Sequence, residues 1–157
     1  MDKVPMTKQG FDALEKELRT LKSVERPAVI VAIAEARAHG DLSENAEYTA
    51  ARERQSFIEG RIKELESVIS AAQIIDPASL AGSTIKFGAT VFLADEDSGD
   101  EVTYQIVGPY ESNADKGMIS TTAPIARALI GKGIGDSVEV VTPAGKRSYE
   151  VLDVQYR

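Results

Sequence analysis

Two carboxylates three residues apart, Asp41 and Glu44, lie in the run Arg37-Ala38-His39-Gly40-Asp41-Leu42-Ser43-Glu44-Asn45-Ala46-Glu47-Tyr48. At the start of a helix, side chains at that spacing point the same way, so the pair can converge on one cation. Hard cations such as Mg²⁺ take oxygen ligands, often only one or two protein carboxylates, with water and phosphate in the remaining positions. The same spacing also makes a capping box, with Asp41 at the N-cap and Glu44 three residues on, both favoured by the helix dipole. Ser43 is an alternative cap. The roles are compatible, because a tip carboxylate can cap in the free protein and ligate on binding.

The neighbours of this pair have simpler accounts. His39 is the single histidine. A lone His offers no metal cluster, and a solvated turn residue is expected. Arg37, Arg52 and Arg54 flank the tip, and pairing with Glu47 and Glu53 on helix faces accounts for residues of this kind. Arg37 and Arg52 nevertheless lie near the turn on opposite arms, where they can reach an RNA phosphate. No G-x-S-x-G elbow, Walker A loop or H-E-x-x-H is present. The Gly-rich run Gly131-Lys132-Gly133-Ile134-Gly135-Asp136 follows a short predicted helix and precedes a predicted strand. That is the reverse of a phosphate-binding turn, and a tight connection is expected.

Helices must position the tip. Apolar residues recur at Phe11, Leu14, Leu18 and Leu21 with spacings of three and four, and a longer series runs Tyr48, Ala51, Gln55, Ile58, Ile62, Leu65, Ile69, Ala72. Residues 8–39 and 44–75 would each span roughly 48 Å as helix. Equal arms about a short Gly-containing turn predict an antiparallel coiled-coil hairpin. Within the first arm the apolar register slips to Val29, Ile33 and Ala36, and Pro27 is expected to bend or locally break the helix. Taken by itself, such a hairpin can equally be a structural prop.

After Ile75 the pattern changes. Residues 76–83 are turn-rich and read as a linker. Strands are predicted at 89–94, 102–107, 137–141 and 148–154, with turns at 97–100 and 143–146 and one short helix at 124–130 opening on Pro124. The fold class is α+β. A hairpin over 1–75 precedes a linker over 76–83 and a small domain over 84–157 built on an antiparallel sheet.

With 43% hydrophobic and 27% charged residues the chain is a folded globular protein. It has no Cys, so a disulfide framework and a thiolate metal site are excluded. The opening lacks an apolar signal region, and no stretch approaches the roughly 20 apolar residues a membrane span needs, so a cytoplasmic protein without a membrane partner is expected. The net charge is −7. Residues 1–75 carry 11 Lys+Arg against 13 Asp+Glu, and residues 76–157 carry 7 against 12. Gripping a phosphate backbone requires the opposite balance, so contact with nucleic acid should be local and the main partner a protein.

The run from Glu35 to Tyr48 resembles the signature of the GreA/GreB family of bacterial transcript cleavage factors. The resemblance extends from Pro5-Met6-Thr7 through Ile74-Ile75-Asp76 and Phe87-Gly88-Ala89-Thr90-Val91 to the segment 120–131, with Ile125-Ala126-Arg127 inside it. Thr49-Ala50-Ala51-Arg52-Glu53-Arg54-Gln55 is similar to the branch whose hairpin is less basic here. The resemblance implies an FKBP-like second domain that docks at the mouth of a bacterial RNA polymerase's secondary channel while the hairpin threads inward. It implies that Asp41 and Glu44 help hold a catalytic Mg²⁺, supplied and mainly held by the polymerase, and an attacking water at the 3′ end of backtracked RNA. The chain would then be no enzyme alone and would have no small-molecule substrate. Two other readings stay open: an inhibitor occupying the same channel, and a peptidyl-prolyl isomerase or chaperone. Asp41 and Glu44 with Asn45 match the active pattern rather than the inhibitory one. An isomerase pocket usually needs an aromatic cage, whereas this chain has no Trp and few aromatics after Phe87.

Overall fold

The computed structural model describes residues 2–40 and 45–157. The chain divides into two compact units, one containing Phe11–Ala72 and the other Val4–Gly10 together with Gln73–Arg157.

The first unit is the expected helical hairpin. Helix α1 (Lys8–Thr20) leads through a π-helical turn (Leu21–Glu25) into α2 (Arg26–Arg37), and α3 (Ala46–Ala71) returns. Pro27 does not break the first arm. The chain widens into the π turn just before it, with the Arg26 N–H bonding the Leu21 carbonyl five residues back. A π turn rotates less per residue than the 3.6-residue α-helix, so Val29 returns to the face of Leu21, and both are buried. The register slip at 21–29 is therefore absorbed by an inserted residue, and the helical arm continues through Pro27 without a break. Leu14, Leu21, Val29, Ile33 and Ala36 form the buried seam of one arm, and Ile58, Ile62, Leu65, Val68 and Ala71 that of the other. The expected positions Ile69 and Ala72 are only half-buried beside Val68 and Ala71.

Ion pairs cross between the arms. Arg61 donates to both carboxylate oxygens of Glu17 at 2.6 and 2.9 Å, and Arg26 to both of Glu59 at 2.9 and 2.8 Å. Arg54–Glu25 at 3.2 Å and Lys22–Glu66 at 3.5 Å add single contacts. Exposed pairs of this kind contribute about 0–1 kcal/mol each. Their value lies in direction, because they fix which turn of one arm faces which turn of the other.

Helix α3 ends at Ala71, not at 75. Ala72 is extended, at φ −63 and ψ 134, and residues Ala72–Ile75 form strand β2 beside β1 (Val4–Thr7). The available strand partner overrides the helical periodicity of the last turn. It also moves a boundary, because Val4–Gly10 belong with the second unit. Met6 and Thr7 are buried, and the Thr7 N–H and Oγ1 both donate to the Glu111 carboxylate, which also accepts the Gly108 N–H at 3.0 Å. Nor is 76–83 a free linker. Pro77 is buried at the start of a 3₁₀ turn, and Asp76 caps that turn by accepting the Ala78 N–H at 3.0 Å.

A five-stranded sheet follows: β3 (Thr90–Asp95), β4 (Glu101–Val107), β5 (Met118–Ser120), β6 (Ser137–Thr142) and β7 (Gly145–Gln155), in the order β5-β4-β3-β7-β6. The four predicted strands are all present. The sheet is mixed rather than antiparallel, because β5 runs parallel to β4. With only three residues, β5 carries too little alternation to be legible beforehand. Between β3 and β7 the register shifts at Phe92/Leu93, which leaves Leu152 as an extra residue. This bulge lets Val151 and Val154, three apart, both be buried in a core with Val91, Leu93, Ile106 and Val138. Helix α4 (Pro124–Leu129) covers that core with Ala126 and Leu129 and stops before Gly131, whose φ of 90 suits glycine. The Gly-rich run is the expected tight connection, with the Gly131 N–H bonding Ile85 and the Ile85 N–H bonding Lys132, each at 2.8 Å.

Gly10 provides a test in which two effects oppose. Helix propensity favours Ala over Gly by about 1 kcal/mol. A Cβ at Gly10, however, would sit 2.7 Å from Glu111 Cδ and 2.8 Å from Glu111 Cβ, so the whole side chain would have to leave its partners. Gly10→Ala should therefore destabilise by about 1–3 kcal/mol in urea unfolding, and a gain in stability would show that Glu111 is dispensable.

The Glu17–Arg61 pair gives the hairpin a pH dependence. The bidentate Arg61 contact holds the Glu17 carboxyl below its usual 4.5. A depressed folded value stabilises above the unfolded value, and the contribution is lost as pH falls through the folded one. Because Glu17 is partly exposed, the effect is at most about 1 kcal/mol. Below pH 4.5 the wild type should lose stability faster than Glu17→Gln, whose own loss on acidification lacks this share.

Candidate functional site

The hairpin turn is bounded by two defined helix ends. On the first arm, Ala38 caps α2 with its N–H on the Ala34 and Glu35 carbonyls at 3.3 and 3.2 Å. His39 and Gly40 continue the turn, their N–H groups reaching the Ala36 and Arg37 carbonyls at 3.1 and 3.4 Å. Gly40 has φ 110, a left-handed conformation that favours glycine. Asp41 and Glu44, the candidate cation ligands, lie outside the described residues, as does Ser43.

On the second arm the cap of α3 is Asn45, not Asp41 or Ser43. Asn45 is extended, at φ −88 and ψ 100, and its Oδ1 accepts the Tyr48 N–H at 3.0 Å. Its Nδ2 donates to the Ala36 carbonyl on the opposite arm at 2.6 Å. One carboxamide thus starts α3 and ties it to α2. Sequence reasoning missed this residue because Asp, Ser and Asn are near-equal caps, and three of them crowd residues 41–45.

The charged neighbours distribute differently from expectation. The Arg37 guanidinium lies 5.9 Å from the Tyr48 ring centroid across the arms. A cation over a ring at this distance gains about 0.5–1 kcal/mol when exposed. Glu47, expected to pair with an arginine, instead lies 3.2 Å from His39 Nδ1. Arg54 pairs with Glu25 of the first arm and lies over Phe57. Arg52 is exposed and has no ion-pair partner among the described residues. It lines a shallow groove with Tyr48, Thr49, Glu53 and Ser56. The structure therefore brings Arg37, Arg52 and His39 to the end of the hairpin where α2 ends and α3 begins. Arg37 is engaged through its ring contact, and Arg52 is open to solvent. Among the described residues no three His, Cys, Asp or Glu side chains are grouped as a metal site.

Comparison with known proteins covers both units. Residues 4–74 match the family described as Transcription elongation factor, N-terminal, and residues 80–156 match Transcription elongation factor, GreA/GreB, C-term. The chain is 66% identical over 156 residues to transcription elongation factor GreA of Ruegeria pomeroyi, covering 99% of each. It is 64% identical to the Paracoccus denitrificans protein of the same name, again over 99% of each. Among solved structures, GreA factor homolog 1 of Thermus thermophilus aligns at 30% identity and a TM-score of 0.44, over 98% of this chain and 99% of that one.

The cap assignment has a direct test. Asn45→Ala should lower hairpin stability by roughly 1 kcal/mol, whereas Asp41→Ala and Ser43→Ala should each stay within about 0.5 kcal/mol of wild type. Thermal melts in parallel decide it. A loss for Asp41→Ala equal to that for Asn45→Ala would return the cap to Asp41.

Proposed function

Because the chain belongs to the GreA/GreB family of transcription elongation factors, we propose that it stimulates a bacterial RNA polymerase to hydrolyse backtracked RNA and so rescues arrested complexes. One observation carries this reading: a pair of carboxylates, Asp41 and Glu44, falls at the turn of a long two-helix arm, between the caps Ala38 and Asn45. The second unit docks at the mouth of the polymerase's secondary channel, and the hairpin carries residues 41–44 to the buried reaction centre. An α3 of 26 residues reaches about 39 Å.

Two carboxylates match a hard cation in kind but fill only part of its shell. Asp41 and Glu44 are the residues that would share a Mg²⁺ held mainly by the polymerase. An ion bound there supplies a water of lowered pKa and neutralises charge on the phosphate. The remaining work falls to this chain's own groups. The carboxylates of Asp41 and Glu44 would also accept hydrogen bonds from the attacking water and orient it. Arg37 and Arg52, both exposed near the turn, would contact the phosphates of the RNA 3′ end, each contact worth about 1–3 kcal/mol if charge-assisted. The net charge of −7 discourages binding of nucleic acid anywhere else on the protein. In this reading the attacking water is activated at the polymerase's own centre, so hydrolysis belongs to the polymerase and this protein acts as its cofactor.

The test uses a stalled, backtracked elongation complex and follows short 3′ RNA products. Wild type should release them. Asp41→Asn and Glu44→Gln should bind polymerase and melt as wild type does yet cleave poorly, with partial recovery at high Mg²⁺ or Mn²⁺. Arg37→Ala with Arg52→Ala should lose roughly 1–3 kcal/mol of cleavage without weakening binding to RNA-free polymerase. Acid variants that cleave normally would remove the ligand role.

A further inference from the structure

The caps around residues 41–44 differ in kind. Ala38 ends α2 with backbone bonds alone, whereas Asn45 uses both ends of its side chain. An N-cap needs only an acceptor, which Asp or Ser supplies as well as Asn does. The amide's donor is therefore surplus to capping, and here it is spent on the Ala36 carbonyl at 2.6 Å. Ala36 is buried, with 2% of its surface exposed, so the acceptor sits on a packed turn of α2 rather than on a frayed end. That carbonyl also accepts the His39 N–H at 3.1 Å, which joins the exit of the first arm to the entry of the second through one oxygen. Arg37 over Tyr48 reinforces the same crossing.

We infer that Asn45 is a positioning residue for the Asp41/Glu44 pair: its Nδ2–Ala36 bond fixes the separation of the two chain ends from which that pair is presented. This rests on the cleavage role proposed above. Glu44 is joined directly to Asn45, so a bond that locates Asn45 against α2 locates the backbone from which Glu44 projects. Ligands for a reacting centre must be held within a fraction of an ångström, and supports on rigid elements achieve that better than loops do. No carboxylate or hydroxyl substitute reproduces the donor. Asn45→Asp would place an anion against the Ala36 carbonyl, and the shorter hydroxyl of Asn45→Ser would not reach it.

The experiment compares wild type with Asn45→Asp and Asn45→Ser in full-length protein. Four quantities are measured: melting temperature, half-saturating concentration on backtracked complexes, cleavage rate at saturation, and exchange of the His39 and Tyr48 amides. Both variants keep the cap, so the Tyr48 amide should stay protected and melting should change by no more than about 2 °C. The His39 amide should exchange faster. Half-saturation should stay within about twofold, while the saturated rate should fall by about ten- to a hundredfold. Wild-type rates in both variants would overturn the proposal and leave Asn45 a cap. A defect confined to half-saturation would overturn it as well. Absence of cleavage with wild type itself would instead sink the cleavage reading and this inference with it, whereas normal wild-type cleavage with unaffected variants sinks only the inference.

Discussion

The register between the two arms of the hairpin is the constraint on which the rest depends. A helix advances about 1.5 Å per residue, so under the proposed role a slip of one residue between the arms would carry a tip carboxylate further than a coordination bond tolerates. The apolar seam from Leu14 to Ile33 against Ile58 to Ala71 holds the arms together, but burial is non-directional and resists sliding weakly. Directional contacts do that at separate heights: Glu17–Arg61, Arg26–Glu59, Glu25–Arg54 and finally Ala36–Asn45. Each is weak alone. Because they lie on one rigid pair of helices, sliding must break all of them together.

The π turn belongs to the same constraint. Pro27 cannot donate to the helix ladder, and its ring crowds the carbonyl four residues back. A plain α-helix would also rotate Val29 out of the face that Leu21 defines. One inserted residue relieves the proline and restores the seam, so two apparent defects in the first arm cancel. In the second unit the bulge at Leu152 works by the same logic in a strand, since an extra residue returns both Val151 and Val154 to the core.

Much of this was legible in the sequence. Seven-residue periodicity announced the hairpin, runs rich in Val, Ile, Thr and Tyr announced four of the sheet's strands, and the glycine at 40 announced the turn. What stayed hidden was what a partner decides. Residues 72–75 continue a helical pattern and become strand only because Val4–Thr7 lie alongside. Residues 4–10 join the second unit through Glu111, more than a hundred positions away. At the site, the two acids were visible as a spaced pair, whereas the cap went to Asn45 because its donor finds a carbonyl on the opposite arm. Local spacing cannot rank near-equal caps when a long-range acceptor breaks the tie. Similarly, charge composition offered Glu47 as an arginine partner, yet its carboxylate lies beside His39 Nδ1.

A presenting device of this kind gains from being incomplete. Two carboxylates provide too few oxygens to hold a hard divalent ion in the free protein, so under the proposed role the acids act only where a polymerase and its RNA supply the missing ligands. An acid-rich tip that bound ions strongly by itself would arrive already saturated. The remaining requirement is that the acids arrive ordered, because side chains and backbone immobilised only on binding would cost roughly 1 kcal/mol or more apiece. Meeting that cost in advance is what a capped, cross-tied turn can do. The Ala36–Asn45 bond lies at the last buried turn of α2, as near the acids as rigid structure extends among the described residues.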